Sequence, residues 1–145
     1  MDNIKSFEQS FRVKGEWHFE YEDGTREGPF FNSFPPEGLG WVGERMQSGA
    51  SPYLVVGDDA VDGYEISEAF RKPVSTIIRS GAQVRFRTQL LPSECNGDHT
   101  KACIYVEGAD SPGTGIMLNM LARPWSKAIN TTLTVECRVT VQGVS

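Results

Sequence analysis

Four carboxylates fall close together at Asp58, Asp59, Asp62 and Glu65. A loop this dense in oxygen donors is what a hard cation such as calcium requires. The spacing is not that of an EF-hand, because the alternating ligand positions and the distal glutamate are missing. A solvated acidic loop is the competing reading. Cys95 and His99, four positions apart, are the nearest approach to a soft-metal pair, but no third and fourth ligand accompany them. There is no G-x-S-x-G elbow, and no serine or cysteine has a base at a spacing typical of nucleophilic enzymes. The glycines are dispersed among turns, so no phosphate cradle is expected. Trp17, Trp41 and Trp125 could stack on sugars, although aromatics more often supply core or subunit contacts. The residues therefore predict no catalytic centre and no cofactor, with Asp58, Asp59, Asp62 and Glu65 as the one cation candidate.

The elements that would carry these residues are strands. Leu133, Val135, Cys137, Val139 and Val141 alternate with Thr134, Glu136, Arg138, Thr140 and Gln142. Period-two patterning of this kind predicts a long strand with one buried and one wet face. Val84, Phe86, Thr88 and Leu90 repeat it. With the β-branched run before Ser80-Gly81, residues 72–91 read as a hairpin. Trp17, Phe19 and Tyr21 alternate with His18, Glu20 and Glu22, and Asp23-Gly24 turns the chain toward Phe30 and Phe31. Residues 103–106 and 116–121 are apolar on both phases, which predicts strands covered on both sides or covered in part by another subunit. One short helix is expected over residues 36–47, from Leu39, Val42 and Met46. The fold class is all-β, a β-sandwich or jelly-roll-like domain with one short helix. Residues 15–145 form that domain, and residues 1–14 an N-terminal arm or edge strand.

At 145 residues the chain fits one core, and its net charge of −5 with scattered Lys and Arg argues against nucleic acid. No apolar run is long enough for a membrane span, and the start of the chain lacks the pattern of a signal peptide. Three cysteines, Cys95, Cys103 and Cys137, give an odd count. A Cys95–Cys103 disulfide is conceivable, but free thiols in a reducing cytoplasm are the simpler reading.

Taken in order, these segments resemble the tail-fibre or collar attachment domains and related short tail proteins of tailed bacteriophages. Asn32 and Gly38-Leu39 match an Asn followed by a Gly-Leu helix start. Tyr53-Leu54-Val55-Val56-Gly57-Asp58 matches a strand running into a Gly-Asp loop. Glu68-Ala69-Phe70-Arg71 matches a Glu-aromatic-Arg group before a hairpin. Glu94-Cys95-Asn96-Gly97, the strand from Ile104 to Glu107, the turn and strand from Gly113 to Leu121, and Lys127 complete the series. The likeness covers most of the chain. It implies a non-enzymatic virion structural subunit of the tail, neck, baseplate or collar, made in the host cytoplasm. Such a subunit would assemble with itself as a ring or trimer and dock other virion proteins such as fibres. With no shaft or tip after the last strand, a stand-alone subunit is expected.

Ile4, Phe7, Phe11, Ile104, Val106, Ile116, Leu118 and Trp125 are the candidate interface residues, the first three on an arm that could add a strand to a neighbour. The alternatives are a capsid decoration protein and a carbohydrate-binding β-sandwich using Trp41 or Trp125 beside the loop at Asp58.

Overall fold

A computed structural model describes residues 11–35, 37–38, 51–59, 63–80 and 83–143. Alternating apolar residues and short turns give nine strands: β1 (Phe11–Tyr21), β2 (Arg26–Phe31), β3 (Tyr53–Gly57), β4 (Glu68–Pro73), β5 (Thr76–Ser80), β6 (Gln83–Leu90), β7 (Gly97–Val106), β8 (Ile116–Lys127) and β9 (Leu133–Gly143). They form two antiparallel sheets, one of five strands in the order β2-β1-β9-β6-β5 and one of four in the order β4-β3-β7-β8. The all-β, two-sheet expectation holds. Among the described residues no helix is long and apolar enough to cross a membrane.

The period-two segments point one face inward. Trp17 and Phe19 of β1, Phe86 and Leu90 of β6, and Leu133, Val135, Cys137 and Val139 of β9 meet Leu54, Val56, Ile104, Leu118 and Trp125 of the other sheet in one core. Fully burying a side chain of this size contributes about 1.5–3 kcal/mol, so this layer dominates the stability of the domain.

The four-stranded sheet has a second apolar face. Val55, Cys103, Tyr105, Met117 and Met120 are buried there, with Tyr53 and Ile66 packed against them. The two-phase apolarity of residues 103–106 and 116–121 is thus explained inside one chain, and covering by another subunit is not needed. In β8 the alternation is also broken by irregular pairing with β7 near Ile104 and near His99. At the first irregularity the buried Asn119 side chain accepts a hydrogen bond from the Ile104 amide (3.2 Å) and donates to Cys137 Sγ (3.0 Å).

Several boundaries move. β1 starts at Phe11 and pairs with β9 from Phe11↔Gly143 onward, so residues 11–14 belong to the sandwich. Residues 1–10 lie outside the described part. Glu68–Pro73 is a strand of its own, and the hairpin proper is β5–β6. His99, read as a loop residue, sits in β7. Of the helix expected over residues 36–47, only Glu37 and Gly38 are described, and both are helical. Gly38 has a specific reason to be glycine: a Cβ there would collide with the Leu118 carbonyl oxygen. All three cysteines are free, so the Cys95–Cys103 disulfide is not formed.

Candidate functional site

The densest set of chemistry-bearing side chains lies at one end of the sandwich. There the loops after β3 and β6 meet the first residues of β7 and the last of β8. His99 is buried with its ring against Trp125, 4.8 Å between centroids. Its Nδ1 lies 2.6 Å from Asp58 Oδ1, and its Nε2 lies 3.4 Å from Cys95 Sγ. A thiol on one ring nitrogen and a carboxylate on the other is the order found in nucleophilic triads.

Two features turn the group away from that chemistry. The carbonyl oxygen of Cys95 is 2.8 Å from Nε2, nearer than its own sulfur, so the ring nitrogen faces a backbone acceptor. Burial, with the Asp58 charge adding to it, pushes the Cys95 thiol up to about 12. A thiol so rarely ionised is a poor nucleophile. Cys95 also adopts φ 55°, in the left-handed region that non-glycine residues seldom occupy. The arrangement ties the loop carrying Asp58 and the loop carrying Cys95 to one ring.

The neighbouring groups act in the same way. Buried Lys101 donates to Asp59 Oδ2 (2.9 Å) and to the Glu65 carbonyl (2.8 Å). Asp59 also accepts from the Ser67 amide (3.0 Å). The Ser67 amide, followed by Lys101, holds the Asp59 carboxyl below its usual range. The cation candidates are therefore dispersed: Asp58 faces His99, Asp59 faces Lys101, and Glu65 offers its backbone carbonyl to Lys101. Asp62 lies outside the described residues. Among the described residues no three His, Cys, Asp or Glu side chains are placed to hold a metal ion. Lys127, buried at the end of β8, donates to Asn96 Oδ1 (2.6 Å) and reaches the Pro92 carbonyl (3.4 Å). It fixes the loop between β6 and β7.

Toward the other end of β7, Arg71 of β4 fastens the loop between β7 and β8. Its guanidinium makes a two-pronged bond to Glu68 (both 2.9 Å) and donates to the carbonyls of Ala109 (3.0 Å) and Thr114 (2.9 Å). Glu68 in turn accepts from the Gly113 amide (2.6 Å). Burial works to raise the Glu68 carboxyl, but Arg71 and that amide outweigh it and hold it low.

The outer face of the five-stranded sheet carries a depression of about 440 Å³, lined in part by His18, Glu20, Arg87, Glu136 and Arg138. Glu20, Arg87, Glu136 and Arg138 form one ion-pair cluster in it. The buried Glu136 pairs with Arg138 (2.6 Å) and Arg87 (3.1 Å). Burial alone would raise its carboxyl, and the two arginines reverse that.

The interface candidates divide three ways. Ile104, Val106, Leu118 and Trp125 are interior, part of the chain's own core, and Ile116 packs against it. Ile104, Val106, Leu118 and Trp125 are corrected from interface to core, because the second sheet of the same chain covers them. Ile4 and Phe7 lie outside the described residues, and of Phe11 only the backbone, in β1, is described. Trp125 is also closed to a sugar, being packed against Phe19 and His99, while Trp41 lies outside the described residues. The sequence reading did not single out Lys101, Asn119 or Glu136. For Lys101 and Asn119 the available signal was a lone polar residue beside or within a strongly apolar strand; Glu136 lies on the regular polar phase of β9, and nothing local marks it as buried. No protein-family model, curated protein or solved structure matches the chain.

Proposed function

We propose that this chain is a non-enzymatic structural subunit of a tailed-phage virion, in the tail, neck, baseplate or collar, which assembles with copies of itself and docks other virion proteins. The observation that carries this reading is where the residues of the resemblance sit. Asn96 of the Glu-Cys-Asn-Gly group meets Lys127 at 2.6 Å, and Glu68 and Arg71 of the Glu-Ala-Phe-Arg group grip each other and the loop after β7. Lys127, and the neighbouring pair Glu68 and Arg71, thus act as fasteners for loops far from them in the chain. That use of polar side chains suits a rigid building block, whose function is shape and contact surface. The thiol–imidazole–carboxylate group supports the same reading, since its sulfur is held protonated by burial.

The test is composition of particles. Tail-bearing particles from the strain that encodes the chain are purified and digested, and peptides of this chain are sought at stoichiometric level. Labelled antibody against the purified chain then locates it by electron microscopy. Peptides at fixed copy number with label on the tail or neck support the proposal. Label spread over the head favours the decoration reading. Absence from intact particles rejects both.

A further inference from the structure

We infer that Lys127 and Asn96 are a site of self-modification, at which the lysine amine displaces ammonia from the asparagine side chain and leaves a covalent amide across one end of the sandwich. The inference goes beyond the assembly reading and does not depend on it.

Other cations held inside the domain are matched with carboxylates. Arg71 lies 2.9 Å from Glu68, Lys101 2.9 Å from Asp59, and the half-buried Lys72 2.7 Å from Glu94. Lys127, only 2% exposed, is set differently. Among the described residues its acceptors are two neutral oxygens, Asn96 Oδ1 at 2.6 Å and the Pro92 carbonyl at 3.4 Å. Burying an ammonium among neutral groups is costly, and that cost ends when its nitrogen becomes part of a neutral amide.

The contact is also close to a reacting geometry. With a C=O bond of about 1.23 Å and an acceptor angle of about 120°, an oxygen 2.6 Å from Nζ places Cγ about 3.4 Å away, within the roughly 3–3.5 Å of a near-attack arrangement. The backbone holds both partners there. Gly97, at φ 111°, pairs with Lys127 where β7 meets β8, and beside them Ser126 Oγ donates to Asp98 Oδ1 (2.6 Å). Little freedom is left to be lost on the way to reaction. Asn96 itself is exposed, so the released ammonia has a way out.

The step balances within the chain. The Nζ lone pair attacks Cγ, an Nζ–Cγ bond forms, and the Cγ–Nδ2 bond breaks. Lysine enters as ammonium and the departing nitrogen leaves as ammonium, so no acid, base or oxidant is consumed. Glu94, two residues before Asn96, carries the proton between them. The hydrogen bond from Lys72 first, with the charge of Lys127 among the smaller causes, holds its carboxyl below the usual range and so ionised. The product fixes the loop between β6 and β7 to the end of β8 permanently, joining residues 31 positions apart.

Mass spectrometry of the denatured full chain tests this, on fresh protein and after long incubation at neutral pH. The expected result is a species lighter by one ammonia, which digestion resolves into a branched peptide joining residues 96 and 127. Lys127→Arg keeps a cationic donor but removes the nucleophile, and should retain the full mass. Asn96→Ala, at an exposed position, should do the same. An Asn-Gly pair can also lose ammonia by closing onto the glycine amide, but that product has no branch and does not need Lys127. A parent that keeps its full mass throughout overturns the inference. So does a mass loss without the branched peptide, or one that Lys127→Arg leaves unchanged.

Discussion

The Cys95–His99–Asp58 group separates a building block from an enzyme, and its thiol can be read directly. Burial, and after it the Asp58 charge, raise the Cys95 thiol to about 12. At pH 8 that leaves about 10⁻⁴ of it as thiolate, against about a quarter for an unperturbed thiol near 8.5. The loss in reactive form is about 2,000-fold. A more basic thiolate attacks faster once formed, by about 40-fold over 3.5 units at a Brønsted slope of 0.4–0.5. The net expectation is disulfide exchange at Cys95 about 50-fold slower in the folded chain than in urea.

The assay is exchange with DTNB at pH 8, folded and denatured, with peptide mass spectrometry to assign each modified cysteine. Cys103 and Cys137, buried and also raised, should stay unmodified on the same time scale. Asp58→Asn supplies the second arm. If Asp58 resists ionisation of the thiol, removing its charge leaves the rate unchanged or raises it. In a working triad, where the carboxylate orients the base, the same substitution would slow the reaction. A folded-state rate within about threefold of the denatured one, falling in Asp58→Asn, would refute the structural assignment and reopen a catalytic one.

Three further outcomes follow from the polar fasteners. Asp59, Glu68, Glu94 and Glu136 all hold their carboxyls below the usual range when folded. Their contribution is present above the unfolded carboxylate value near 4.3 and is lost as pH falls through the lower folded values, so Tm should be flat above about pH 5 and drop steeply below about pH 4; calorimetric melts showing a rise on acidification would contradict this. Arg71→Met strands the nearly buried Glu68 and should cost about 3 kcal/mol in urea unfolding, with hydrogen exchange quickening at residues 107–115; an unchanged loop would show that Arg71 does not hold it. Asn119→Leu leaves the buried Ile104 amide without its acceptor and should cost about 1–3 kcal/mol. A variant as stable as the parent would mean the amide finds another partner.

What the sequence determined by itself was the class of fold. The alternation in β1, β6 and β9 specifies which side of each strand is buried, and Asp23-Gly24 specifies a tight turn, with Gly24 at φ 90°. These are local properties, readable from neighbours in the chain. β4 was legible only in part, because its burial follows no clean alternation, and β8 hid its phase behind two pairing irregularities. The apolar runs in β7 and β8 showed that both faces would be covered but not by what; the covering elements come from elsewhere in the same chain.

The site was less legible still. Asp58 and His99 are separated by three strands, β4, β5 and β6, and only the pairing of β3 with β7 brings the carboxylate to one ring nitrogen, while the thiol at the other comes from four residues away in the chain. The acidic loop at Asp58 looked like a cation site because sequence counts carboxylates without showing their partners. Tertiary structure supplied a lysine for Asp59 and a ring nitrogen of His99 for Asp58, so each carboxylate already has a partner. Burial, which belongs to the whole fold and to no segment of it, then decided that the sulfur stays protonated.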